Sequence, residues 1–110
     1  MCVFCDIIAG KIPSTKHYED ENFIIIDDIS HKAKKHYLII PKVHYEHFED
    51  QKPEDAANLG NIIKKLPSLI KKLGFENGFR LIMNQGEAGG PMINHLHVHI
   101  LGGEKLPDAP

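Results

Sequence analysis

Residues 94–103, NHLHVHILGG, alternate without a break: His95, His97 and His99 take every second position, and Leu96, Val98 and Ile100 fill the places between. Period-2 alternation commits the stretch to an extended strand, because successive side chains on a strand point to opposite faces. One face then carries three imidazoles and the other is aliphatic. The aliphatic face has to be buried, so the rest of the chain must supply an apolar layer behind this strand. On the histidine face, neighbouring rings lie about twice the ~3.3 Å rise per residue apart, close enough for neighbours to serve one phosphate-sized group.

The remaining sequence supplies that layer. CDIIAGKIPS reads as a short helical turn ended by Gly10 and Pro13, and KHYED and NFIIIDDIS as two strands around an acidic turn at Glu19 to Asn22. HYLIIPK is a further strand, stopped by Pro41, and GFRLIMNQG alternates Phe79, Leu81 and Met83 against Arg80, Ile82 and Asn84. Between them, Ala56, Leu59, Ile62, Ile63, Leu66, Leu69, Ile70 and Leu73 recur with helical spacing. Pro53, Glu54 and Asp55 suit the first turn of that helix, and Lys71, Lys72 and Gly74 its end. Pro67 removes a donor inside the pattern, so the expectation is one bent helix. Strands joined by short connections favour antiparallel neighbours, and the fold class expected is α+β: mainly antiparallel sheet, one long helix and a short N-terminal helix.

Size and charge narrow the function. A chain of 110 residues is expected to form one domain spanning 1–110, with only the stretch from Glu104 onward resembling a tail. Thirteen basic side chains, one of them arginine (Arg80), stand against fifteen acidic ones, which leaves no electrostatic footprint for nucleic acid or an anionic membrane. A small soluble ligand is the expected partner. No apolar run approaches the ~20 residues of a membrane span, and the opening Met1-Cys2-Val3-Phe4-Cys5-Asp6 lacks a secretory pattern, so a cytoplasmic protein is expected. In that reducing compartment the C-x-x-C pair Cys2 and Cys5 points to metal or redox use rather than a lasting disulfide.

Three readings fit the histidine strand by its residues alone. The rings are polar filler on an exposed face; or they ligate a metal, as histidines two apart on a strand can; or a neutral imidazole attacks phosphorus through one nitrogen while the other holds its proton against a backbone carbonyl. Spacing leaves all three open.

HLHVHIL also fits the pattern His-φ-His-φ-His-φ-φ, with φ apolar, and so resembles the histidine triad nucleotide-binding proteins, hydrolases and transferases acting on nucleotide α-phosphates. FCDIIAGKIPS, YEDENFIIIDDIS, HYLIIPKVH, NQGEAGG and HILGG are similar to family blocks in the same order, covering nearly the whole chain. The resemblance implies that His97 is a nucleophile forming a transient nucleotidyl-histidine that water hydrolyses, and that His99 contacts the α-phosphate. It places Asn84 and the loop glycines at 86, 89 and 90 beside the phosphate, Asp28 on the ribose hydroxyls, and Ile29, Ile7 and Ile26 around the base. His17, His31, His36 and His47 receive no catalytic role and are read as surface or strand-end residues.

Where relatives of this kind carry a polar pair before the triad, this chain has Pro91 and Met92, which lack an N–H and a hydroxyl respectively. In some branches of the family an N-terminal cysteine pair, the histidine of the P-K-x-H block and the first triad histidine hold zinc. Here those residues are Cys2, Cys5, His44 and His95, and the implied ion is structural. The implied activity is cleavage of purine nucleoside 5′-phosphoramidates or related esters by a homodimer. A nucleotide-binding regulatory protein with little turnover, and a histidine-rich zinc or copper binder, are the alternatives.

Overall fold

The computed structural model describes residues 2–90 and 93–109. Its elements run α1 (Val3–Ile8), β1 (Lys16–Glu19), β2 (Phe23–Asp27), β3 (Lys35–Pro41), α2 (Pro53–Leu73), β4 (Phe79–Ile82) and β5 (Val98–Gly102), with 3-10 turns at Phe48–Asp50 and Glu87–Gly89. Among the described residues the strands form one antiparallel sheet in the order β1-β2-β3-β5-β4. This is the α+β arrangement expected, with one long helix and a short N-terminal one. The last strand in sequence thus lies inside the sheet, between β3 and β4.

Strand β2 reads Phe-Ile-Ile-Ile without polar alternation because both of its faces are covered. Phe23 and Ile25 join Tyr37, Ile39, Val98 and Ile100 against Leu59, Ile62, Leu66 and Leu73 of α2 and Phe75 behind it. Ile24 and Ile26 join Leu38 and Ile40 on the other face, where Phe4, Ile7 and Ile8 of α1 pack. Burying each such side chain contributes about 1.5–3 kcal/mol. The β1–β2 turn is closed by Asp20, whose Oδ1 accepts the amides of Asn22 and Phe23 at 2.7 and 2.8 Å.

Helix α2 starts and stops where its residues say it should. Asp55 Oδ2 accepts the Lys52 amide at 3.1 Å, and Gly74 ends the helix with φ +87°, a conformation open to glycine because it has no Cβ. The helix runs unbroken through Pro67, which lies on its exposed side. There water can satisfy the carbonyl that proline leaves without a donor.

Strand β5 begins at Val98, three residues later than the alternation implies. The β3–β5 ladder runs from Lys35↔Gly102 to Ile39↔Val98 and goes no further toward Pro41. Proline has no N–H to offer, and its carbonyl is taken by the ring Nε2 of His95 at 2.7 Å. The Leu96 amide turns instead to Tyr45 O at 2.8 Å. His95 and His97 therefore lie on the approach to the strand, and only His99 within it.

Candidate active site

The face of the sheet that carries α1 is incompletely covered, and the gap is a cleft of about 770 Å³. Phe4, Ile7, Ile12, Ile26, Leu38 and Ile93 form its apolar wall, and Asp28, His97 and His99 its polar end. Ile29 stands at the mouth with 93% of its surface exposed. One end is thus apolar and the other carries two imidazoles and a carboxylate.

His97 and His99 face one another across the polar end with ring centres 5.1 Å apart. The Nδ1 of His97 lies 2.8 Å from the carbonyl oxygen of His95. A carbonyl only accepts, so Nδ1 carries a hydrogen, and the neutral ring then has its lone pair on Nε2. The residue is 6% exposed, and the Nε2 lone pair of this tautomer is what a nitrogen nucleophile requires.

His99 is held by a residue that sequence reasoning set aside. His36 is 1% exposed, not a surface histidine, and its Nδ1 accepts the Lys32 amide at 3.0 Å. Its hydrogen therefore sits on Nε2, which lies 2.8 Å from His99 Nδ1 and 3.2 Å from Asp28 Oδ2. Donation to His99 Nδ1 leaves the His99 hydrogen on Nε2. Asp28 Oδ1 meanwhile accepts the amide and hydroxyl of Ser30 at 2.8 and 2.7 Å. Burial pushes His99 and His36 below the usual histidine range; for His99 the neighbouring imidazoles add to this and Asp28 opposes it. Burial works to raise the Asp28 carboxyl, but the Ser30 bonds and the two histidines outweigh it and hold the group low. The site is thus an anion beside neutral imidazoles. The signal for His36 was its parity with Leu38 on β3, but only the register Leu38↔His99 reveals that this face meets the triad. Of the other unassigned histidines, His31 lines the cleft, while His17 pairs with Asp27 and His47 with Asp50 on the surface.

The third histidine belongs to a different cluster. Cys2 Sγ and Cys5 Sγ lie 3.3 and 3.6 Å from His95 Nδ1, Cys5 Sγ lies 3.3 Å from His44 Nδ1, and the two Nδ1 atoms are 3.1 Å apart. A tetrahedral zinc, with bonds of about 2.3 Å to sulfur and 2.0–2.1 Å to nitrogen, has donor–donor edges of roughly 3.3–3.8 Å. The three sulfur–nitrogen separations fall in that range, the two nitrogens lie slightly closer, and all four donors lie within 4.8 Å of one another. His95 is prepared as a ligand: its Nε2–H donates to Pro41 O, which leaves Nδ1 free, and burial keeps the ring neutral. Burial, followed by the neighbouring Cys2, raises the Cys5 thiol, a cost that a bound cation would reverse. Asp28, His36 and His99 also converge, but His36 Nε2 must carry a hydrogen while Nδ1 accepts Lys32. Chemistry thus favours the cysteine-containing set for a metal.

Of the residues named from sequence, the structure brings Ile7, Ile26, Asp28, Ile29, His97 and His99 to one cleft and Cys2, Cys5, His44 and His95 to one cluster. Asn84 and Gly90 lie in the β4–β5 loop, outside the residues that line the cleft. Pro91 and Met92, the departure noted before the triad, lie outside the described residues.

The family described as scavenger mRNA decapping enzyme C-terminal binding matches residues 1–107. An uncharacterised HIT-like protein of Methanocaldococcus jannaschii is 41% identical over 101 residues, covering 92% of this chain and 78% of its own. The solved structure of a HIT family hydrolase from Clostridium thermocellum superposes with a TM-score of 0.88 at 43% identity, covering 98% of this chain and 95% of its own. A zinc-bound histidine triad family protein from Mycobacterium smegmatis superposes with a TM-score of 0.77 at 33% identity, covering 96% and 79% respectively. With its sheet, its paired cleft histidines and these likenesses over nearly its full length, the chain belongs to the histidine triad (HIT) family.

Proposed function

We propose that the protein is a nucleotide hydrolase that cleaves purine nucleoside 5′-phosphoramidates or related α-phosphate esters and releases the nucleoside monophosphate. The observation that carries this reading is the anchoring of His97, which lines the cleft and whose Nδ1–H is spent on His95 O, so that the neutral ring keeps its lone pair on Nε2. In this reading the base lies against Ile7, Ile26 and Ile29, the ribose hydroxyls reach Asp28, and the α-phosphate sits between His97 and His99. Asn84 and Gly90 are assigned to the phosphate side of the bound nucleotide. His97 Nε2 forms the bond to phosphorus as the P–N or P–O bond breaks, and the leaving group takes a proton from solvent and departs as the amine or alcohol. Water then hydrolyses the nucleotidyl-imidazole and restores His97. His99 Nε2–H donates to a phosphate oxygen as charge builds there.

Cys2, Cys5, His44 and His95 hold a structural zinc ion in this proposal, supported by the convergence of their four donors within 4.8 Å. The ion adds stability to the fold and takes no part in the displacement. A homodimer fits the exposed apolar side chains of the edge strand β4, Phe79 at 43% and Leu81 at 37%, since a second sheet edge can cover them. Among the described residues no helix is long and apolar enough to cross a membrane, and a cytoplasmic site of action is part of the proposal.

The test is release of AMP from an adenosine 5′-phosphoramidate by the wild type and by His97→Ala, with a quench for covalent nucleotidyl-protein. Turnover and a trapped adduct in the wild type alone are expected. Equal turnover in both would remove His97 from the role, and nucleotide binding without turnover in either would favour a regulatory binding protein.

A further inference from the structure

We infer that the Cys2–Cys5–His44–His95 cluster, once loaded with metal, sets the position of the nucleophile, with Phe4 and His95 as the positioning residues. The inference rests on the proposed zinc site and on the role given to His97, and it adds a mechanical link between them.

Two contacts make the link. The first runs through the backbone. His97 Nδ1–H is anchored on the carbonyl of His95, whose ring is itself tied to Pro41 O by Nε2 and reaches the cysteines and His44 by Nδ1. Because β5 starts at Val98, no strand ladder holds that carbonyl in place. Nearby, only the His95 amide on Ile93 O and the Leu96 amide on Tyr45 O restrain the backbone among the described residues. The ring of His95 is therefore a main anchor of the carbonyl that orients the nucleophile.

The second contact runs through α1. Cys2 and Cys5 flank Phe4, which is 3% exposed and stands edge-on to both His95 and His97, with ring centres 5.8 and 5.2 Å away. A helix of six residues has no stability of its own, so its seating depends on what holds its ends. Phe4, Ile7 and Ile8 supply an apolar anchor, and the two sulfurs at the cluster supply the other. An ion drawing Cys2, Cys5, His44 and His95 together fixes Phe4 against the flank of the His97 ring. Without the ion, both the carbonyl and the ring that confine His97 are freer to shift. A misplacement of about 1 Å at a reacting group can lower the rate a hundredfold.

The experiment uses the full chain with 15N-labelled histidine rings, loaded with one equivalent of Zn²⁺ or stripped by a chelator. Two-bond ¹H–¹⁵N correlation spectra read the His97 tautomer directly. A sharp Nδ1–H signal for loaded His97, broadened or mixed in the stripped protein, is expected, together with a roughly tenfold or larger fall in kcat and a much smaller change in KM. An identical His97 signal in both states would overturn the link, as would a chain that takes up no zinc. If the stripped chain loses its fold by far-UV circular dichroism, Phe4→Leu decides, since it leaves all four donors in place. Loosened His97 at full zinc stoichiometry supports the link, and an unchanged His97 signal refutes it. A zinc-dependent His97 signal in a protein that hydrolyses no phosphoramidate would sustain the link and refute only the hydrolase reading.

Discussion

Replacing His36 with leucine separates the tautomer argument from simple loss of packing. The change removes the acceptor for the Lys32 amide and the donor that lies 2.8 Å from His99 Nδ1. With two hydrogen bonds lost at roughly 1 kcal/mol each, and a buried leucine offsetting part of this, the expected destabilisation is about 1–2 kcal/mol. For a domain of this size that corresponds to a fall in Tm of about 4–9 °C. The catalytic effect should be larger. Asp28 Oδ2 lies 3.6 Å from His99 Nδ1, and once His36 is gone it becomes the nearest acceptor for a hydrogen on that nitrogen. In the proposed complex His99 then turns a lone pair rather than an N–H toward the phosphate. Losing one transition-state donor of this kind costs about 10²–10³ in kcat. Steady-state hydrolysis of an adenosine 5′-phosphoramidate measures the rate, and the ring nitrogen spectrum of His99 measures the tautomer. A folded variant whose kcat stays within about threefold of wild type, or whose His99 keeps its hydrogen on Nε2, would refute the reasoning.

Because burial holds His36 and His99 below their ordinary range, the unfolded chain binds more protons than the folded one as pH falls past about 6.5, and stability should drop by up to about 1.4 kcal/mol per pH unit for each residue. Asp28, held low, reinforces the loss at more acidic pH. Urea unfolding at pH 7.5 and 5.5 checks this, and equal stability at the two values would contradict it. Gly102→Ala would place a Cβ 2.5 Å from Phe75 Cδ1 and 3.0 Å from Gly78 O, a collision with backbone as well as with a core ring. A loss of about 1–3 kcal/mol by thermal or urea unfolding is expected, and an unchanged Tm would mean that the β5 end yields more easily than its packing implies.

The histidine strand shows how far local pattern reaches. The alternation from His95 to Leu101 correctly separated an aliphatic face from an imidazole face, and Leu96, Val98 and Ile100 are all buried. It misjudged where the strand begins, because a ladder ends when its neighbour stops offering donors, and that neighbour is Pro41, more than fifty residues away. Pro67 taught the converse: a helix breaker by type, it is tolerated on the exposed side of α2. His36 was missed because it reads as an ordinary strand-end histidine until β3 and β5 are paired. The zinc set came from resemblance rather than spacing, since the sequence gap between Cys5 and His44 carries no period that joins them.

By itself the sequence determined the identity of the elements: periodicity, capping residues and turn formers are properties of neighbours along the chain, so the helices, the strands and the α+β class follow from short-range chemistry. Only the tertiary structure decided which nitrogen of His36, His97 and His99 carries a hydrogen, and which of eight histidines meet at the cleft. The reason is physical. Tautomer and contact depend on what stands within about 3 Å, and those partners are brought together by strand register across gaps that no local pattern spans.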